Sequence, residues 1–103
     1  MPWFITALVG RHNNNYERLD INPVPRCFGF YNTHNEAIKA VEENRGSMEE
    51  CLYDYIVIEY IEPGIHPTVE VEHWWYWEKE NRRWEDGIYK PEEFQETVNF
   101  ALG

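Results

Sequence analysis

The sequence is short of cysteine, of long apolar runs and of positive charge, and each shortage removes a class of function. Two cysteines in 103 residues, Cys27 and Cys51, cannot build the framework that staples small secreted domains, and an intracellular chain keeps them as thiols. No apolar stretch approaches the ~20 residues that cross a bilayer. The first ten residues lack the cationic start, apolar core and small-residue cleavage site of a secretory leader, so a cytoplasmic setting is expected. Nine Lys and Arg stand against 19 Asp and Glu, a formal net charge of −10, which argues against direct binding to a nucleic-acid backbone. A Gly-rich phosphate loop, a Gly-x-Ser-x-Gly elbow, a dinucleotide fingerprint and short Cys or His ligand spacings are all missing. The chain therefore reads as non-enzymatic, with no cofactor and no metal.

Aromatic side chains are plentiful. They make up 17% of the chain, with five Trp and seven Tyr, inside a hydrophobic fraction of 43%. Length and composition fit one small domain spanning residues 1–103. Trp and Tyr combine a large apolar body with a polar tip and serve cores and binding surfaces equally well. The charge is unevenly placed. Residues 32–72 carry two basic and ten acidic groups, whereas residues 1–31 carry three Arg against two acids.

Patterning predicts the order β-β-α-(short α)-β-β-β-α. Residues 3–9 are apolar on both faces and closed by Gly10, as in a buried strand. Residues 11–25, with three consecutive Asn and two Pro, read as a long loop. Arg26–Tyr31 reads as a second strand, in which Gly29 suggests a bulge. Thr33-His-Asn-Glu36 is a capping box opening a helix with Ala37, Ile38, Ala40 and Val41 inward, and Gly46 is placed to end it. A second box at Ser47–Glu50 predicts a short helical turn. Tyr55–Ile61 reads as a central strand. In Val69–Glu78 alternation puts Val69, Val71, His73, Trp75 and Trp77 on the core and Glu70, Glu72, Trp74, Tyr76 and Glu78 outside. A last strand over 83–89 precedes a final helix opened by Pro91, with Phe94, Val98 and Ala101 inward. The expected fold class is α+β, a four- or five-stranded antiparallel or mixed sheet with helices on one face.

The blocks Arg26-Cys-Phe-Gly-Phe-Tyr31, Glu36-Ala37, Tyr53–Glu59, Gly64-Ile65, Trp74–Trp77 and Pro91-Glu-Glu-Phe94 resemble, in this order, a family of small proteins of bacteria and their phages. The resemblance implies a compact accessory protein and carries over no catalytic residue.

Single residues offer little chemistry. His73 falls on the expected core face, as a hydrogen-bonded structural histidine would. Cys27 and Cys51 read as small hydrophobes. Glu59 is the one charge in an apolar strand. Burial would raise its pKa and suit it to acid–base work, whereas a place at a sheet edge or beside an Arg would make it structural. Two binding surfaces remain. One is acidic and aromatic, with Glu42, Glu43, Glu70, Glu72, Trp74, Tyr76 and Glu78, suited to a basic protein surface, such as one that otherwise holds nucleic acid. With Trp74 and Tyr76 outside, it could also pair with a second copy of the chain. The alternative is a small-anion site in the 10–31 region, where Arg11, His12, Arg18, Arg26 and Tyr31 could hold a nucleotide.

Overall fold

The computed structural model describes residues 2–10, 26–45, 53–62, 68–97 and 99–101. The expected loop over 11–25 and the short helical turn at 47–52 lie outside them. Five strands form one antiparallel sheet: β1 (Trp3–Leu8), β2 (Arg26–Tyr31), β3 (Tyr55–Glu62), β4 (Thr68–Glu78) and β5 (Arg83–Ile88), in spatial order β2-β1-β3-β4-β5. Among the described residues one α-helix, α1 (His34–Glu42), follows β2. The architecture is broadly α+β, as expected.

Local chemistry accounts for the helix boundaries. The Thr33 hydroxyl accepts from the Glu36 amide at 3.2 Å, so the N-cap forms as its sequence predicts. The helix stops before Gly46. Asn44 takes the left-handed conformation (φ 51°), and the Asn44 and Arg45 amides donate back to the Val41 and Ala40 carbonyls. That is a Schellman ending with Asn in the usual glycine position. Asn44 is held there because its Oδ1 accepts from the Trp84 indole at 3.0 Å.

The outer strands β2 and β5 each carry a bulge. Pairing skips Phe28 between Gly29 and Cys27, and skips Gly87 between Ile88 and Asp86. Gly29 (φ 140°) and Gly87 (φ 88°) supply backbone conformations that side chains disfavour. The bulge expected at Gly29 is therefore present.

Both sheet faces are covered, because β1 and β3 are apolar on both sides. On one face α1 packs Ala37, Ala40 and Val41 against Ile5, Ala7, Ile56, Ile58, Trp75 and Trp84. On the other, Leu8, Val57 and Trp74 lie under Phe100, with Phe94 and Tyr55 beside them. Two expectations are corrected here. The segment after Pro91 is a single 3₁₀ turn (Glu92–Phe94) followed by turns, and it covers the face opposite α1. Its backbone finds tertiary partners where a helix would have used its own. The Phe100 and Ala101 amides donate to the Glu59 carboxylate at 3.0 Å each, and the Thr97 carbonyl accepts from Lys90 at 2.6 Å. On β4 the alternation holds from Val71 to Trp77 as a division between faces but not between core and solvent, and a bulge at Glu70 puts Val69 on the face opposite Val71. Trp74 is only 4% exposed and Val71, expected inside, is 40% exposed.

Candidate functional site

Of the residues expected to form the acidic aromatic surface, β4 does place Glu70, Glu72, Trp74, Tyr76 and Glu78 at alternate positions. They do not make one open surface. Trp74 is buried because Phe94 stacks on it (5.8 Å) and Phe100 meets it edge-on (5.4 Å). Its indole donates to Glu72 at 3.0 Å, and Glu72 pairs with Lys90 at 3.4 Å. Glu78 accepts the Glu80 and Asn81 amides of its own turn, and the Asn81 amide in particular lowers its pKa. Tyr76 is half-buried and Glu70 exposed. Trp74 is thus covered by the chain's own C-terminal segment. Glu42 and Glu43 stand apart from the β4 set, exposed at the end of α1, with Glu43 paired to Arg45 at 2.7 Å.

The alternative anion site does not assemble from the described residues. Arg11, His12 and Arg18 lie outside them. Arg26 and Tyr31 sit at opposite ends of β2, roughly 17 Å apart at strand rise. Arg26 lies over the Phe28 ring (4.7 Å), and the Tyr31 hydroxyl accepts from Arg45 at 3.1 Å. Cys27 is exposed on the outer strand, not packed as a small hydrophobe.

Glu59 is neither at a sheet edge nor beside an Arg. It is fully buried on central strand β3, opposite Glu72. Burial raises its pKa, against the Phe100 and Ala101 amides, which pull it down. Glu72 adds to the rise and Lys90 opposes it. The two amides hold the carboxylate against the chain's own backbone, so it serves as an anchor.

A site with open space lies on the α1 face. Glu42 from α1, Trp75 from β4 and Arg83, Trp84, Glu85 and Asp86 from β5 line a cleft of about 430 Å³. Trp75 and Trp84 are nearly fully buried and belong to the core beneath it. Among the described residues the Trp75 indole N–H has no hydrogen-bond partner. Three carboxylates and one guanidinium stand around the cleft, and Arg83 is already bonded to Glu85 at 2.9 Å. Asp86 connects the cleft to a second feature. Its Oδ1 meets His73 Nε2, and His73 Nδ1 lies 2.9 Å from His34 Nε2. A carboxylate only accepts, so His73 donates through Nε2, accepts at Nδ1 and receives the His34 Nε2–H. Trp3 stacks on His34 (4.2 Å, 2° between planes) and on Tyr60 (4.4 Å). Burial and the neighbouring His73 lower the His34 pKa, with Asp86 opposing.

Sequence reasoning placed His73 inward and hydrogen-bonded but missed its partners. His73 and Asp86 meet because β4 pairs with β5, and His34 joins them because α1 packs on that face of the sheet, which no sequence spacing announces. Among the described residues no group of three or more His, Cys, Asp or Glu side chains is placed to hold a metal ion. No described helix is long and apolar enough to cross a membrane.

Comparison with protein-family models, with curated proteins and with solved structures found no match. The reading of function therefore rests on the geometry.

Proposed function

We propose that this protein is a non-enzymatic cytoplasmic interaction module that binds a basic surface of another protein through the cleft between α1 and β5. The cleft carries the reading, with the Glu42, Glu85 and Asp86 carboxylates at a pocket floored by Trp75 and Trp84. An Arg or Lys side chain entering there meets carboxylates for its charge and aromatic surface for its stem. The net charge of −10 steers a basic partner toward the molecule and repels nucleic acid. Basic surfaces that hold phosphate are natural targets of such a module, which would act as an inhibitor in the manner of small phage proteins.

Titration of the full chain with a short arginine-rich peptide, followed by tryptophan fluorescence, tests the proposal. Binding that Glu42→Lys weakens tenfold or more, and that Glu70→Lys, exposed and outside the cleft lining, leaves nearly intact, supports it. Equal losses from both variants mean attraction to net charge alone, and no binding removes the proposal.

A further inference from the structure

The relay behind the cleft bears on how the cleft is regulated. His73 and His34 face each other through one hydrogen bond, with the far side of His73 on Asp86. Each ring nitrogen at that contact is either donor or acceptor, so the pair accommodates one added proton. A second would set two N–H groups against each other at 2.9 Å. Wherever the first proton sits, it puts a positive charge in the relay that ends on Asp86, and Asp86 is one of the carboxylates facing the cleft. His is the side chain whose ordinary pKa lies where this exchange is physiological. The other charged and titratable groups around these residues are few. Tyr60 on β3 lies behind Trp3, and Tyr31 on β2, paired with Trp3, is engaged by Arg45. Glu42, Arg83 and Glu85 stand along the cleft itself.

We infer that the His34–His73–Asp86 chain is a proton-operated control on the cleft, which takes a cationic side chain when the relay is neutral and gives it up when the relay gains a proton. The inference rests on the cleft being the binding site. Protonation turns Asp86 from a carboxylate accepting a neutral N–H into half of an ion pair, and a cationic group from the partner competes with that positive charge for the same carboxylate.

Calorimetric titration of the full chain with the arginine-rich peptide, at about pH 8 and about pH 5.5, tests it, because the guanidinium keeps its charge across that range. Affinity is expected to fall roughly fivefold or more on acidification, the scale of one unit charge neutralised a few ångströms from the ligand in a hydrated cleft. His73→Gln and, independently, His34→Gln should flatten that dependence, with circular dichroism confirming that each variant is folded. Each single variant keeps the other relay histidine, so the two replacements are also combined, and a fall that persists in the folded double variant arises outside the pair and overturns the inference. Equal wild-type affinity at the two pH values overturns it and leaves the cleft standing, whereas no binding at either removes the cleft as well. Imidazole ¹⁵N NMR of the free protein gives a second reading. One proton taken up between His34 and His73 over this range is expected, and two independent full titrations contradict the relay.

Discussion

At the scale of single residues Glu59 governs more of the structure than any other charge. Its carboxylate offers one oxygen to each of two consecutive backbone amides, Phe100 and Ala101, and so fixes the segment that covers Trp74. Replacing it by Ala leaves two buried donors unmet and should cost about 2–4 kcal/mol in urea unfolding, with Trp74 emission shifting to the red. The pH dependence has a definite sign. Burial holds the Glu59 carboxyl above its ordinary value, so the folded state binds that proton more tightly than the unfolded chain. Stability from this group is complete below the ordinary carboxylate range and is lost as pH rises through the raised value. Glu59→Gln, with nothing to titrate, should lack that loss. Urea melts at several pH values check it, and parallel slopes for wild type and variant would contradict it. The sequence marks Glu59 as anomalous, since a lone charge in an apolar strand needs a reason. Its partners are backbone amides some forty residues away, which no side-chain pattern encodes.

At the scale of elements, the strands and the helix start are readable because they rest on local rules. Strand patterning, the Thr33 cap and Gly29 all act within a few residues of themselves, and each predicts the local element that is found, though not which face of β4 is covered. Endings depend on tertiary partners. Asn44 ends α1 two residues before Gly46 because the Trp84 indole, from β5, donates to its side chain. Asn44→Ala loses both that acceptor and the residue's tolerance of a left-handed backbone, and should destabilise by about 1–2 kcal/mol. Asn44→Gly restores the backbone alone and should recover part of the loss. Thermal melts of the two variants separate the contributions, and equal destabilisation would mean that the backbone conformation contributes nothing. The final segment was the hardest element to read. Pro91 and the acids after it are proper helix openers, but propensity yields where Lys90 and Glu59 bind the backbone groups a helix would have used.

At the scale of the whole molecule, a sheet apolar on both faces needs two covers, and this chain builds one from a helix and the other from its C-terminal segment. Alternation on β4 divides the side chains between faces, but it cannot say whether a face is wet. That is why Trp74 and Tyr76 read as a binding patch and Trp74 turns out to be core. It is also why the cleft, which draws on α1, β4 and β5 together, has no counterpart in the sequence reading beyond Glu42. Removing residues 94–103 takes away Phe94, Phe100 and the amides on Glu59. The shortened chain should bind a hydrophobic dye and self-associate through the uncovered face, as sedimentation would show. A shortened chain that stays monomeric and dye-free would mean that this cover is dispensable.

The two bulged outer strands have a consequence for how any partner can attach. A straight outer strand offers a regular ladder of free amide and carbonyl groups onto which a foreign strand can zip, extending the sheet from one molecule into the next. Gly29 and Gly87 break that ladder on both borders. A chain with so many aromatic and β-forming residues would otherwise be a template for stacking copies of itself. A foreign strand therefore meets no regular ladder on either border of the described sheet.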